Sequence, residues 1–182
     1  MSYLRITAGT WRNRRVKVIG HPSLRPTPDR VRETLFNWLG YDLSGLFCLD
    51  LFAGSGILGF EAASRGAREV TLVEKNNDAF KAMQANATLL DPQAQVLRPI
   101  KTDALQFSNR YSQKAYDIIF LDPPYWQGWL EKLIACFDRL AHRKTRIYAE
   151  AESPITCLGT WHVSKCKRAG QVYYHLLDNA NS

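Results

Sequence analysis

Short apolar runs alternate with stretches of helical periodicity along most of the chain after residue 45. Five runs have the length of strands and lie at residues 46–51, 69–74, 95–100, 116–122 and 146–152. Apolar positions at helical spacing predict helices at about 56–65, 76–90 and 129–141. Strands that alternate with helices indicate an α/β fold built on a mostly parallel, doubly wound sheet.

The two ends of the chain depart from this alternation. Two strand-like runs flank Arg168-Ala169-Gly170, which predicts a C-terminal antiparallel hairpin over 160–178. The runs YLRIT and RVKVI predict a small N-terminal β-hairpin. The segment RPTPDRVRETLFNWL (25–39) predicts a helix with Thr27 as its N-cap and Pro28 at its first position. We therefore expect an N-terminal extension, residues 1–40, on a body of residues 41–182, together forming one compact unit.

Composition narrows the class of protein. A chain of 182 residues with 46% hydrophobic residues fits one folded domain. Its longest apolar runs are too short to cross a bilayer, and arginines stand where a signal peptide has its apolar core, so a cytoplasmic location is expected. The cysteines lack metal-site spacing and predict buried or half-buried free thiols without a metal ion. They are Cys48, Cys136, Cys157 and Cys166.

Positive charge is concentrated at the N-terminus. The net charge is +7, and residues 1–39 hold eight basic residues against Asp29 and Glu33. A basic end on a nearly neutral body suggests a polyanionic partner, most simply nucleic acid, although a solvated basic face fits the charge equally well. The basic residues are Arg5, Arg12, Arg14, Arg15, Lys17, Arg25, Arg30 and Arg32.

A glycine loop predicts nucleoside binding. The spacing Gly54-x-Gly56-x-x-Gly59 follows a predicted strand and opens a predicted helix, which is the context that a dinucleotide-type loop requires. Glu74 lies twenty residues beyond Gly54, at the end of the second predicted strand, where it can accept hydrogen bonds from both ribose hydroxyls.

Asp50, at the mouth of this loop, indicates which nucleoside binds. A carboxylate beside a pyrophosphate costs roughly 3 kcal/mol, whereas a sulfonium or an ammonium group is stabilised by it. S-adenosyl-L-methionine carries both cations and no phosphate. An NAD-dependent oxidoreductase is disfavoured by Asp50 and by the absence of an evident hydride-relay His or Tyr/Lys pair. Asp103-Ala104 follows the third strand, where Asp103 can meet the adenine amino group or simply cap a helix.

The turn Asp122-Pro123-Pro124-Tyr125 ends the most apolar strand. In the strand order 3-2-1-4-5 this strand lies beside the first, so the turn and the glycine loop share one crevice. Two prolines make the bend rigid and remove backbone donors, leaving the Asp122 carboxylate and the Pro123 carbonyl as acceptors. Two acceptors suit an exocyclic amino group, and Tyr125 can stack on its base. Such a site methylates an amino nitrogen by positioning and electrostatics, without a metal ion.

Together these motifs resemble the Rossmann-like, class I S-adenosylmethionine-dependent amino-methyltransferases, and within them the RsmD family. The segments that carry the resemblance are 4–18, 25–39, 49–67, 122–125 and 170–174. The family methylates the N2 amino group of a guanine in bacterial 16S ribosomal RNA. The resemblance implies the same reaction here, with S-adenosyl-L-methionine as cofactor, small-subunit RNA in an assembled or assembling particle as partner, and no membrane. We expect a monomer.

The resemblance also implies roles for individual residues. Cofactor contacts are expected at Asp50, Gly54, Ser55, Gly56, Glu74 and Asp103, with Phe52, Gly59, Lys75 and Ala104 placed beside them. The guanine is expected at Asp122, Pro123, Pro124 and Tyr125. RNA contacts are expected at Arg25, Thr27, Arg30 and Arg32, and at the hairpin residues Arg5, Arg12, Arg14 and Arg15. Trp126 is either a stacking surface or a core or helix-cap aromatic.

Other functions remain as alternatives. A DNA adenine-N6 or cytosine-N4 methyltransferase uses the same turn but usually needs an inserted recognition domain, for which 182 residues leave no room. A protein-glutamine methyltransferase typically has Asn in place of Asp122. A non-catalytic RNA-binding module explains the basic N-terminus and nothing else.

Overall fold

A computed structural model gives the fold and describes residues 2–18, 27–110 and 115–180. Two strands form a separate hairpin, and eight form a single mixed sheet. The strands are β1 (Ser2–Arg5), β2 (Arg15–Val18), β3 (Phe47–Asp50), β4 (Glu69–Glu74), β5 (Leu97–Lys101), β6 (Tyr116–Leu121), β7 (Ala141–Ala151), β8 (Cys157–Leu158), β9 (Trp161–Ala169) and β10 (Val172–Asn179). The helices are α1 (Asp29–Leu39), α2 (Ile57–Ser64), α3 (Asn77–Leu90), α4 (Ala104–Arg110), α5 (Trp129–Ile134) and α6 (Phe137–Leu140).

The large sheet has the order β5-β4-β3-β6-β7-β10-β9-β8. Its first five strands are parallel and reproduce the predicted order 3-2-1-4-5, with β3 and β6 as neighbours in the middle. The last three pair antiparallel, so the predicted C-terminal hairpin is confirmed as β9 and β10. The order reverses between β3 and β6, and in such sheets the crevice for a ligand lies at that point.

Helices cover both faces of the sheet, as the doubly wound prediction requires. One apolar cluster joins α1, α2 and α3 to the sheet through side chains such as Phe36, Phe60 and Met83. The other joins α4, α5 and α6 through Phe107 and Phe137 among others. The central strands β3 and β6 are apolar on both faces because both faces are buried.

The N-terminal hairpin packs on the helical layer rather than on the sheet. Ile6 and Val16 are fully buried in the same cluster as α1 and α2. The Thr7 N–H donates to Glu61 of α2 at 2.6 Å, and the Lys17 N–H donates to Asn86 of α3 at 3.1 Å. The hairpin itself is confirmed, and a division of the chain at residue 40 stays a prediction.

Two local predictions differ from the structure, and one short strand was not predicted. The predicted helix 129–141 is two short helices, because the chain tightens where the Cys136 N–H donates to the Leu133 carbonyl at 2.8 Å. The predicted strand 146–152 begins earlier, at Ala141, which pairs with Tyr116 of β6. The two-residue β8 is too short to leave a periodic signal.

Thr27 is not the N-cap of α1. The cap position is Pro28, whose carbonyl accepts from the N–H groups of Val31 and Arg32. The Thr27 side chain is buried and turns away from the helix toward Asp122. Its hydroxyl therefore belongs to the site described below.

In the portion of the chain that the structure describes, no helix is long and apolar enough to cross a membrane.

Candidate active site

A cavity of about 610 Å³ opens at the carboxyl ends of β3, β4 and β6. Of the fourteen residues predicted to contact the cofactor or the target base, twelve line this cavity. Ten belong to the glycine loop, the strand ends and the Asp122 turn, and two lie at the start of α4. These lining residues are Asp50, Phe52, Gly54, Ser55, Glu74, Lys75, Asp103, Ala104, Asp122, Pro123, Pro124 and Tyr125. The sequence prediction that both motifs share one crevice is confirmed.

Glu74 fixes the glycine loop. One carboxylate oxygen accepts from the Gly54 N–H at 2.8 Å, and the other accepts from the Asn76 N–H at 2.6 Å. Each carboxylate oxygen has a further lone pair, so these bonds leave room for a ligand hydroxyl. Gly56 has φ 82°, and a side chain there would run into the ring of Phe60 at 2.6 Å. Only glycine therefore permits this turn.

Gly59 does not line the cavity, although we predicted it as a cofactor contact. It lies in α2 against β4, where an added Cβ would come within 2.4 Å of the Leu72 side chain. Its N–H donates to the Asp50 carboxylate at 3.3 Å. Gly59 thus packs the helix on the sheet and supports Asp50. Gly56 likewise shapes the loop from outside the cavity lining.

Asp50 brings a buried carboxylate to the cavity. It is 2% exposed at the end of β3. Burial, with the charge of nearby Glu74, raises the pKa of Asp50 to about 7. A cationic group placed beside it would favour the ionised form and lower this pKa again. The electrostatics of this part of the cavity favour a cation.

Asp103 has the helix-capping role that we left open. Its carboxylate accepts from the Leu105 N–H at 2.9 Å at the start of α4. It also lines the cavity, so a second contact with a ligand amino group is sterically open. Phe52 and Lys75 each lie against Trp129, with the Lys75 Nζ 5.2 Å and the Phe52 ring centre 5.4 Å from the centre of the Trp129 ring.

The Asp122 turn is held by a residue that the sequence did not reveal. Glu150 of β7 is 6% exposed and accepts from the Tyr148 hydroxyl at 2.8 Å and from the Tyr125 hydroxyl at 3.3 Å. The Thr27 hydroxyl lies 3.4 Å from both Glu150 and Asp122. Glu150 therefore fixes the ring of Tyr125 and places a second carboxyl beside the turn.

The two carboxyl groups share one poorly solvated site. Burial, then the charges of Glu150 and Asp50, raise the pKa of Asp122 well above its ordinary value. Burial raises the pKa of Glu150 as well, against the opposing effect of its three hydroxyl donors. A hydrogen-bond donor brought to Asp122 would therefore relieve an unfavourable concentration of acceptors.

Trp126 is neither a core nor a helix-cap aromatic. Its side chain is 86% exposed, and α5 begins three residues later with Gly128 as its cap. The backbone has φ 62°, rare for a bulky residue, and its N–H donates to the Glu152 carboxylate. Of the roles considered for Trp126, only that of a stacking surface is compatible with its exposed side chain.

The predicted RNA-binding arginines fall into two groups and one position outside the described residues. Arg30 and the hairpin arginines are exposed, as an RNA contact requires. Arg25 lies outside the described residues. The exposed hairpin arginines are Arg5, Arg12, Arg14 and Arg15. Their contacts with RNA stay predictions.

For Arg32 the prediction is wrong. Its side chain is 0% exposed and donates to Glu61 at 3.0 Å, to the Arg5 carbonyl at 2.9 Å and to Asp29 at 2.5 Å. The burial of Arg32 could have been predicted from its position in the helix. Arg32 lies three and four residues before the apolar Leu35 and Phe36, and residues at this spacing share a helix face.

The hairpin contributes to the cavity, which sequence reasoning missed. Lys17 and Val18 of β2 line the cavity. Residues of the N-terminal extension thus border the same space as the motifs of the body.

No group of three metal-ligating side chains is present in residues 2–18, 27–110 and 115–180. Cys48 and Cys136 are buried free thiols as predicted, whereas Cys157 and Cys166 are exposed on the antiparallel strands β8 and β9, so the expectation of burial is wrong for these two.

Known proteins resemble this chain over nearly its full length. The profile of the family described as Conserved hypothetical protein 95 matches residues 4–178. Ribosomal RNA small subunit methyltransferase D of Haemophilus influenzae is 38% identical, over 97% of this chain and 94% of the relative. The protein of the same name from Escherichia coli strain K12 is 40% identical, over 95% of this chain and 88% of the relative.

Solved structures share the fold. Escherichia coli yhhF superposes with a TM-score of 0.85 at 39% identity, over 98% of both chains. An RNA methyltransferase from Salinibacter ruber, in complex with S-adenosyl-L-homocysteine, superposes with a TM-score of 0.64 at 18% identity, over 86% of this chain and 95% of the other, and so resembles it in fold alone. The predicted Rossmann-like methyltransferase fold is confirmed. The chain belongs to the Conserved hypothetical protein 95 family, and the resemblance to the RsmD family in its sequence is thereby confirmed.

Proposed function

We propose that this chain transfers a methyl group from S-adenosyl-L-methionine to the exocyclic N2 amino group of a guanine in 16S ribosomal RNA. The observation that carries the proposal is that one cavity joins two kinds of carboxylate: Asp50 and Glu74 around the glycine loop, and Asp122 in a rigid acceptor turn. The shared name of the curated relatives supports the coarser part, methylation of small-subunit ribosomal RNA.

The residues of the cavity fit the cofactor. Gly54 and Ser55 of the glycine loop line the cavity with small residues, Glu74 offers acceptors for hydroxyl groups, and buried Asp50 offers a counter-charge for a cation. When bound, S-adenosyl-L-methionine supplies a methyl group that is already activated on its sulfonium. The methylated nitrogen is strongly acidic and can release its extra proton to the Asp122 carboxylate, so the chain needs no metal ion and no strong base for the transfer.

The Asp122 turn supplies the other half of the chemistry. The Asp122 carboxylate and the Pro123 carbonyl accept the two N–H groups of an amino nitrogen and draw its lone pair out of conjugation with the ring. Tyr125, fixed by its hydrogen bond to Glu150, presents its ring to the base. Stacking is worth about 1–3 kcal/mol per base, enough to offset much of the cost of unstacking it from the RNA.

The exposed N-terminal arginines complete the proposal. We propose that residues 1–40 act as an RNA-binding extension of the body, residues 41–182, in a monomeric enzyme that works on the assembled or assembling small subunit. Four exposed arginines on the hairpin and Arg30 on α1 supply positive charge, and the hairpin also borders the cavity.

The test is a transfer assay with methyl-labelled S-adenosyl-L-methionine and three substrates in parallel: unmodified small ribosomal subunits, free ribosomal RNA and duplex DNA. Products are digested to nucleosides and separated. Label in N2-methylguanosine from a ribosomal substrate supports the proposal. Label in methylated adenine or cytosine from DNA would keep the fold and replace the function. Transfer to no substrate, with the cofactor bound, would refute the choice of RNA.

Cofactor affinity is expected to fall as the pH drops below about 7. A bound cation favours the ionised carboxylate and so lowers the pKa of Asp50 from about 7, which means that binding below this pH releases a proton. The dissociation constant should rise by up to about tenfold per pH unit below 7 and stay level above it. Isothermal titration calorimetry of S-adenosyl-L-methionine over this pH range measures the effect.

The matched variant is Asp50→Asn, which keeps the size of the side chain and removes its titration. Its affinity should be lower at pH 8 and nearly independent of pH. If Asp50→Asn keeps the pH dependence of the wild type, another group titrates and Asp50 does not meet the cation.

A further inference from the structure

A second, smaller concavity of about 420 Å³ lies between α1 and the β9–β10 hairpin. We call it the Arg30 groove. Helix α1 forms one wall and the hairpin with its turn forms the other. It is lined mainly by Arg30, Thr34, Lys167, Arg168, Gly170 and Tyr174. None of these hairpin residues belongs to the site described above.

The Arg30 groove is positively charged and lacks counter-charges. Its lining contains three cations and no carboxylate. Arg30, Lys167 and Arg168 are all exposed, and none forms an ion pair with a residue in the described portion of the chain. The Arg168 side chain is held at the turn by its bond to the Gly170 carbonyl at 2.8 Å. Three cations that form no ion pair with the described residues favour an anionic ligand around this concavity.

The groove lies near the Asp122 turn along the sheet. Glu150 of β7 pairs with Tyr174 of β10, and Tyr174 pairs with Lys167 of β9. The backbone of Lys167 is therefore two strand spacings, roughly 10 Å, from the backbone of Glu150, whose carboxyl group fixes Tyr125. On the opposite wall, Arg30 comes three residues after Thr27, whose hydroxyl lies beside Asp122.

We propose that the Arg30 groove binds the RNA phosphates that flank the target guanine, with Lys167 and Arg168 as contacts beside Arg30. The inference rests on the proposed function. A base that enters the cavity stays joined to its RNA strand. The phosphates on either side of that base must therefore lie on the protein surface next to the Asp122 turn. The groove offers them cations at that place, and Arg and Lys are the side chains that recognise phosphate.

The test compares two double variants with the same composition. Lys167→Ala/Arg168→Ala removes the hairpin cations of the groove. Arg143→Ala/Lys144→Ala removes an exposed arginine and lysine from the start of β7, at the opposite end of the sheet. The substrate is the unmodified ribosomal RNA or subunit that accepts the methyl group in the transfer assay. The measurements are its affinity as a function of salt, its KM and kcat.

The groove variant should raise the KM for RNA roughly tenfold. The slope of log K against log salt should lessen by about 1 to 2, because each lost phosphate contact removes about 0.7–0.9 from it. The cofactor dissociation constant and kcat at saturating RNA should not change, and the Arg143/Lys144 variant should behave as wild type. A groove variant with the slope of the wild type, or an equal loss in both variants, would overturn the proposal.

A photo-crosslinking side chain in place of Lys167 tests the location. Crosslinks within a few nucleotides of the methylated guanine support the groove, and crosslinks confined to a distant region overturn it. Failure of the proposed function has a different signature, since wild type and both variants would then transfer no methyl group to ribosomal RNA.

Discussion

Replacing Asp122 by Asn is expected to lower the rate of methyl transfer by about 10²- to 10⁴-fold while the cofactor still binds. The substitution keeps the shape of the side chain, but it places an NH₂ group or a weaker amide oxygen where the amino group of the base needs a charged acceptor. Asp122 lies on the turn after β6 and not in the glycine loop, so the dissociation constant of S-adenosyl-L-methionine should change by less than about threefold.

Loss of folding cannot explain such a result. The ionised form of Asp122 is disfavoured by burial and by the charges of Glu150 and Asp50, so removing the charge relieves repulsion. The variant should unfold at a temperature at least as high as that of the wild type at pH 7. Single-turnover transfer of labelled methyl, with calorimetric cofactor binding and thermal unfolding on the same preparation, separates the three quantities.

Asp117→Asn is the matched control. Asp117 stands at the other end of β6, where its carboxylate accepts from the Phe47 N–H at 2.7 Å and meets His142 at 3.0 Å. The same substitution there should cost some stability and leave kcat within about twofold of the wild-type value. If Asp122→Asn retains more than a tenth of the wild-type rate, the turn does not hold the reacting amino group.

The motifs and their neighbourhood could be predicted from the sequence because local chemistry determines both. The glycines between a strand and a helix, and the two prolines after an apolar strand, determine the backbone conformation of only the few residues around them. Their meeting follows from one topological rule, that β3 and β6 are neighbours where the sheet reverses. Asn76 was also predictable as a helix cap, and its side chain accepts from two N–H groups of α3.

Glu150 could not be found in this way. The sequence places it in a predicted strand, but nothing local shows that its carboxyl lies beside Asp122. That juxtaposition depends on β7 packing next to β6 and on Thr27 turning from its helix. For Gly59 the motif predicted a cofactor contact that the structure does not place in the cavity. Its role in helix packing depends on Leu72, a strand residue thirteen positions away, which the motif does not reveal.

The second large effect concerns Arg32, for which its charge and the family resemblance suggested an RNA contact and the structure shows a buried ion pair. Arg32→Met is expected to lower the free energy of unfolding by about 3–5 kcal/mol, because Glu61 then keeps its charge in a site without solvent. Arg65 stays 3.6 Å from Glu61 and offsets part of that loss. The hairpin also loses its bond from Arg32 to the Arg5 carbonyl, so β1 should loosen.

Arg30→Met on the same helix gives the comparison, since Arg30 is exposed and unpaired among the described residues. Its free energy of unfolding should change by no more than about 0.5 kcal/mol, while RNA affinity falls and becomes less dependent on salt. Urea unfolding followed by circular dichroism measures the first quantity, and salt-dependent RNA binding measures the second. If Arg32→Met unfolds at the urea concentration of the wild type and loses RNA affinity as Arg30→Met does, then Arg32 contacts RNA and the buried ion pair is not what holds α1 and α2 together. If instead Arg32→Met loses stability and Arg30→Met loses RNA affinity, then Arg32 stabilises the fold and Arg30 binds the substrate.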